Sequence, residues 1–138
     1  MRGFALLALL GVGVLTSCGF LEGKDTADKA VVQFHQQFND ESYSDIYMAA
    51  DADFRRATTL ADLTQLFQAV HRKLGVFTSA TQTNSNVFSS TSGPTSVTLV
   101  YASQFAEGKA TEQFKFSVGA GKAYLVAYNI NSPTLILK

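Results

Sequence analysis

The feature that most constrains the fold is a change of residue pattern at Gly75. Before it, Leu63, Phe67, Val70 and Leu74 recur at intervals of three and four residues, which is the spacing of one helix face. After it, Val, Thr, Phe and Tyr become frequent, and apolar residues alternate with polar ones as in β-strands. Because the helices precede the strands instead of alternating with them, the sequence predicts an α+β domain.

Three helices are predicted before Gly75. They span residues 25–39, 42–50 and 59–75. Asp25, Ser42 and Thr59 each suit an N-cap position, because their side-chain oxygens can accept a hydrogen bond from the first helical turn. The segment 51–56 is predicted to be a loop or a short turn.

Four strands are predicted after Gly75. They span residues 76–89, 97–105, 113–118 and 124–130. The first is expected to bend or bulge near residues 84–86. The fourth is apolar on both parities, which predicts a central or doubly covered strand. The expected architecture is a set of N-terminal helices packed on one face of a curved four-stranded antiparallel sheet, with a concave mouth.

The N-terminus has the parts of an export leader. Arg2 gives a short positive start, the run from Phe4 to Leu15 is uncharged and mostly apolar, and small or hydroxylated residues follow it. The run is well short of the roughly 20 residues that a membrane-spanning helix needs. The sequence therefore predicts a leader that is removed.

The four residues Leu15-Thr16-Ser17-Cys18 resemble the bacterial lipobox. The resemblance implies that Cys18 becomes the first mature residue, carries a diacylglyceryl group and is further acylated, for example with palmitate. Residues 1–17 are then the signal peptide, 18–24 the lipid anchor and tether, and 25–138 a single domain. Gly19 after the cysteine implies an outer membrane facing the periplasm. An ordinary secreted protein with a chance cysteine is the alternative.

Composition limits the partners. The 11 basic and 11 acidic side chains balance, so nothing in the charge attracts nucleic acid. Cys18 is the only cysteine, so stability must come from packing instead of a disulfide, and 11 Phe and 5 Tyr supply the apolar area. No cofactor or metal motif is present, since no cysteine or histidine pair has ligand spacing.

The spaced aromatics and turns resemble the cystatin-like superfold shared with nuclear-transport-factor-2-like domains. More narrowly, the chain is similar to small bacterial lipoproteins of unknown function with that fold. The residues that carry the resemblance are Phe34, Phe38, Tyr43, Tyr47, Phe54-Arg55, the run 72–75, Glu112-Gln113-Phe114 and Tyr128-Asn129-Ile130. The superfold hosts isomerases, dehydratases, adaptors and ligand binders, so the resemblance implies a fold and no single activity.

No catalytic set is evident. His35 and His71 lie at the border between the apolar and polar faces of their helices, where structural or solvated roles are commoner than catalysis. Asp51 and Asp53 suit capping or turn roles. Glu112 shares the inward parity of its strand, and a rim ion pair with Arg55, Arg56 or Lys109 is the simplest expectation.

An aromatic pocket inside the cone is the candidate binding site. Its lining would be Tyr47, Phe67, His71, Tyr101, Phe105, Phe114, Tyr124 and Tyr128, although core packing is the default role of such residues. The expected function is a membrane-anchored, non-enzymatic domain that binds an envelope protein or a small apolar ligand. A small isomerase or hydrolase using His71 or His35 is the alternative. Homodimerisation through Thr98, Val100 and Ala102 on the outer sheet face is a third hypothesis.

Overall fold

A computed structural model describes residues 18–137, with side chains from Phe20 onward. The predicted leader, residues 1–17, lies outside the described residues. Four helices come first: α1 (Cys18–Asn39), α2 (Tyr43–Ala49), α3 (Ala52–Ala57) and α4 (Leu60–Leu74). Four strands follow: β1 (Phe77–Phe88), β2 (Thr95–Phe105), β3 (Gly108–Gly119) and β4 (Lys122–Asn131). A short helix, α5 (Pro133–Leu137), ends the described chain.

The strands pair in chain order as an antiparallel meander, β1-β2-β3-β4. Helix α1 packs against all four strands, and α4 packs on α2. The predicted α+β fold, with helices on a curved four-stranded antiparallel sheet, is confirmed. Every residue of the core cluster lies between Ala27 and Leu125, so the chain from Cys18 onward contains the whole described core.

Helix α4 begins and ends where the sequence predicts. The Thr59 hydroxyl accepts a hydrogen bond from the Asp62 amide at 3.1 Å, which satisfies a donor of the first turn. Gly75 ends the helix with φ of 74°, a backbone conformation that glycine adopts without a Cβ clash. This local agreement explains why the change of pattern at Gly75 is so clear in the sequence.

Helix α1 begins earlier than predicted, at Cys18, so Asp25 is not its N-cap. Asp25 pairs instead with Lys29, and the Thr26 hydroxyl donates to the Glu22 carbonyl one turn back. Gly23 is buried against Thr95 of β2. The segment expected to be a tether is therefore helical and held against the sheet.

Two other expectations about secondary structure are wrong. Segment 52–57 is helix α3, because Asp51 caps it by accepting a hydrogen bond from the Asp53 amide at 2.9 Å. Strand β4 is an edge strand rather than a central one. Its apolar residues fall on both parities because a register shift opposite Lys115 and Phe116 leaves both Leu125 and Tyr128 on the core side. The Asp51 amide, just before α3, donates to the Leu125 carbonyl at 2.9 Å.

The predicted bend or bulge in β1 is confirmed as an irregularity in pairing, a register shift between Gln82 and Asn84. A second shift, between Phe77 and Ser79, was not predicted. Among residues 18–137, no helix is both long and apolar enough to cross a bilayer.

Candidate functional site

Aromatic rings fill the interior between the helices and the sheet. Phe67, Phe105 and Phe114, which the sequence places in a pocket, are almost completely buried. The Phe67 ring centroid lies 5.6 Å from that of Phe34 and 5.8 Å from that of Phe38, both in edge-to-face geometry. Such contacts are typical of a packed core, so these three residues do not line an open cavity.

The four tyrosines of the predicted pocket lie in different surroundings. Tyr124 lies on the outer face of the sheet and is exposed, so it does not line the interior. The Tyr47 hydroxyl donates to two carbonyls in and just after α3 at 3.3 Å, which ties α2 to α3. Tyr101 and Tyr128 point inward. The Tyr101 hydroxyl donates a hydrogen bond to the Asp28 carboxylate, and the Tyr128 hydroxyl donates one to the Glu112 carboxylate.

His71 lies apart from these tyrosines. Its Nδ1 is 3.9 Å from Glu41 Oε1, its ring centroid is 5.6 Å from that of Phe38, and its side chain is one-quarter exposed. Its buried Nε2 has no hydrogen-bond partner among residues 18–137. His71 borders a small surface hollow with Tyr43 and Arg72, away from the polar cluster described next.

A buried carboxylate lies at the centre of the interior. Glu112 on β3 is 1% exposed. Its Oε2 is 2.8 Å from His35 Nε2 and 2.5 Å from Ser103 Oγ, and the Tyr128 hydroxyl donates to Oε1 at 2.7 Å. Three hydrogen-bond partners replace the water that the carboxylate lost on burial. Burial, together with the charge of Glu112, raises the pKa of Tyr128 well above its usual value, so its phenol stays a donor.

The expected rim ion pair of Glu112 with Arg55, Arg56 or Lys109 is wrong. Glu112 points inward because it lies opposite Tyr101 in the β2–β3 register, on the buried face. The Arg55 guanidinium instead donates to the Ala50 carbonyl at 2.6 Å. Arg56 forms an ion pair with Asp53, which gives that aspartate a surface role.

His35 connects the buried carboxylate to a groove between α1 and the edge strand β1. It is 5% exposed, so it lies deeper than the border position predicted for it. Its ring stacks on Phe77 with centroids 3.6 Å apart and planes 2° from parallel. The groove has a volume of about 530 Å³ and is lined on its apolar side by Val31, Val32, Phe77 and Ala80.

The polar side of the groove is organised by Asp28. Its Oδ1 accepts hydrogen bonds from the Tyr101 hydroxyl at 2.8 Å and from Gln82 Nε2 at 2.7 Å, and Lys24 Nζ lies 2.7 Å from Oδ2. Burial alone would raise the pKa of Asp28, but hydrogen bonds from Lys24, Tyr101 and Gln82 outweigh it and lower the pKa below 3.8. Burial, with the hydrogen bond to Asp28, raises the pKa of Tyr101.

These shifts predict an acid-dependent contribution of Asp28 to stability. Because the pKa is lower in the folded than in the unfolded protein, the contribution is complete above the unfolded value and is lost as pH falls through the folded value. Asp28→Asn should therefore destabilise the protein at pH 7 and have progressively less effect below about pH 4. Urea unfolding of both proteins at pH 7 and pH 3 measures the difference in their free energies of unfolding at each pH. Asp25→Asn, which removes only an exposed pair with Lys29, is the control and should be nearly neutral.

The arrangement can fix an imidazole at the groove. Glu112 holds His35 through Nε2, which sets the ring orientation and leaves Nδ1 as the nitrogen not bonded to the carboxylate. Such a ring can exchange a hydrogen bond or a proton with a bound molecule. Within the described part of the chain, no group of three or more His, Cys, Asp or Glu side chains is placed to hold a metal ion.

The outer sheet face carries the residues of the dimer hypothesis. Thr98 and Val100 are half-buried, and Ala102 is exposed. Ala102 also borders a second hollow of about 440 Å³ with Thr81 and Thr111. Homodimerisation through this face stays a prediction.

Sequence reasoning missed Ser103 and Asp28 and placed Glu112 with the wrong partners. The alternation of β2 could have identified Ser103 as a buried polar residue, because it lies on the same inward face as Leu99, Tyr101 and Phe105. A polar residue on a buried strand face requires a partner, and Glu112 on the next strand is the nearest acceptor of matching parity. Nothing in the spacing of α1 indicates that His35 reaches the same carboxylate.

No protein-family model matches the chain, and no curated protein is detectably similar to it in sequence.

Proposed function

We propose that this protein is a lipid-anchored, non-enzymatic binding protein of the bacterial cell envelope, attached through Cys18 to the outer membrane and facing the periplasm. The leader and the lipobox-like run 15–18 support the anchor. The resemblance to small bacterial lipoproteins with a cystatin-like domain agrees with it. Its domain binds a small, largely apolar ligand in the groove between α1 and β1.

The observation that carries the binding proposal is the groove itself. Its volume of about 530 Å³ suits a small molecule. Its walls combine the apolar surface of Val32 and Phe77 with the polar groups of His35, Asp28 and Tyr101. Since aromatic side chains fill the rest of the interior, the groove is the natural place for a ligand with one polar end.

The test begins with protein isolated from its own envelope. Intact-mass analysis should find a chain that begins at Cys18 with added acyl mass, and gentle ionisation should retain a small bound molecule. In solution, the neutral fluorescent probe N-phenyl-1-naphthylamine should bind to the groove, and its fluorescence should increase on binding. Val32→Gln places an amide in the apolar wall and should weaken probe binding several-fold.

Met48→Gln is the matched control. Met48 is 68% exposed on α2 and Val32 is 59% exposed on α1, so both substitutions exchange an exposed apolar side chain on a helix. Equal probe binding by the two variants would refute the groove as the site. A free Cys18 thiol in a soluble fraction would refute the anchor.

A second candidate function is an isomerase or hydrolase with His35 as its proton-transfer group. The contact between His35 Nε2 and the buried Glu112 carboxylate favours it, because catalytic imidazoles are commonly oriented by a carboxylate. His71 has no comparable contact, since its nearest described carboxylate oxygen is 3.9 Å away. Chemical change of the isolated ligand on incubation with the protein, absent in a folded His35→Gln variant, would establish this function instead.

A further inference from the structure

One end of the domain gathers three separate segments. Gly23, near the start of α1, packs on Thr95, where a Cβ on the glycine would lie 3.5 Å from Thr95 Cγ2. Pro94 in the β1–β2 loop approaches Gly119 at the end of β3, where a Cβ on the glycine would lie 3.9 Å from Pro94 Cβ. The first turns of α1, the loop 89–94 and the turn 119–122 therefore lie together, and we call this region the anchor end.

The anchor end exposes large apolar side chains. Phe20 is 50% exposed, Leu21 65% and Phe88 70%. Phe88 lies opposite Ser96, next to Thr95, so these side chains start within roughly 15 Å of Thr95. Phe88 shares the outward parity of Ser96, whereas Phe20 and Leu21 lie on the side of the sheet that α1 covers, so large apolar side chains flank this end on both faces.

The position of Cys18 points to the occupant. Cys18 is the first described residue of α1, so it precedes Phe20 by about 3 Å along the helix axis. The segment 18–24 is helical and Gly23 packs on Thr95 of the sheet, so the helix continues from Cys18 directly into the domain. Acyl chains on Cys18 would bring this end to the lipid surface in a fixed orientation.

We propose that the anchor end is a membrane-seating surface, in which Phe20, Leu21 and Phe88 enter the interfacial layer of the bilayer. This inference rests on the proposed anchor at Cys18. Phe and Leu side chains suit the boundary between headgroups and acyl chains. The polar loop 89–94 and the exposed Lys122 suit the headgroup layer, where a cation is attracted to anionic lipid.

The opposite end of the domain supplies a matched control. Strand β2 runs from Thr95 at the anchor end to Phe105, a distance of about 35 Å. Beyond Phe105, the β2–β3 turn packs against α5, where Ile136 is 78% exposed. Ile136 is thus as exposed as Phe88 but lies far from the proposed bilayer.

The chain contains no tryptophan, so a single one can report depth in the bilayer. Phe88→Trp and Ile136→Trp proteins are placed in phosphatidylethanolamine–phosphatidylglycerol vesicles whose acyl chains are brominated, since bromine quenches tryptophan on contact. The Phe88→Trp protein should lose most of its emission, whereas the Ile136→Trp protein should keep it. Adding Phe20→Ser and Leu21→Ser to Phe88→Trp should reduce the quenching several-fold.

Two preparations separate this proposal from the proposed anchor. One is the lipidated protein from the envelope, and the other is residues 18–138 coupled through Cys18, the only cysteine, to a maleimide lipid. Absence of acyl mass on the native protein refutes the anchor, whereas the coupled protein tests the surface independently. Equal quenching at both positions, or none at position 88, overturns the seating surface. A blue-shifted but unquenched tryptophan at position 88 also overturns it, because a protein partner or a second copy then covers that end.

Discussion

Glu112→Ala is expected to lower the free energy of unfolding by about 3–5 kcal/mol. The substitution removes the acceptor shared by His35, Ser103 and Tyr128, and it leaves their buried polar atoms without partners. It also opens a cavity at a site that is 1% exposed. Urea unfolding followed by far-ultraviolet circular dichroism at neutral pH measures the loss.

Two control variants separate lost hydrogen bonds from lost volume. Glu112→Gln keeps the size and one acceptor oxygen, so it should cost about 1–3 kcal/mol. Gln113→Ala changes the adjacent residue, which faces outward and is exposed, and should stay within about 0.5 kcal/mol. If Glu112→Ala proves as mild as Gln113→Ala, the three hydrogen bonds do not stabilise the fold.

Phe67→Ala is expected to cost about 3–5 kcal/mol, comparable to the loss of the carboxylate. Phe67 has no exposed surface, and its ring centroid lies 5.4–5.8 Å from those of Phe34, Phe38, Tyr43 and Tyr128. For a domain of this size each kcal/mol lowers the thermal midpoint by about 4 °C, so a shift of about 12–20 °C is expected. Differential scanning calorimetry measures it.

Leu66→Ala on the same helix is the control for Phe67→Ala. Leu66 is 46% exposed, so its truncation should cost less than about 1 kcal/mol. Similar midpoints for the two variants would mean that Phe67 lines an open pocket, which is the role that the sequence alone allows for it. A large difference places Phe67 in the structural core.

Helix α4 and the order of elements could be predicted because local chemistry determines them. Thr59, the apolar face of α4 and Gly75 all favour the same helix ends, and the alternation after Gly75 favours strands. The start of α1 could not be predicted in this way. Its first turns run past Asp25 to Cys18, and Gly23 within them packs on Thr95, a residue far along the chain that helical periodicity does not identify.

The candidate site was harder to predict than the fold. The parity of Glu112 indicated that it could point inward, but parity does not identify a partner. His35 is 77 positions away in sequence, and its contact with Glu112 depends on how α1 crosses the sheet. The groove likewise lies between two elements, α1 and β1. The distance between them depends on the whole fold and cannot be predicted from either segment alone. Periodicity therefore predicted which faces are buried and left the polar contacts between them undetermined.

The packing of α1 on every strand has a consequence for synthesis and transport. Each strand pairs with its neighbour in the chain, so the hairpins can form soon after their residues emerge. The helix that completes the core emerges first, yet its last partner, β4, emerges more than 80 residues later. A chain released N-terminus first through a narrow channel must therefore stay open until β4 has followed, and a nascent product truncated before Lys122 would be exposed to proteases.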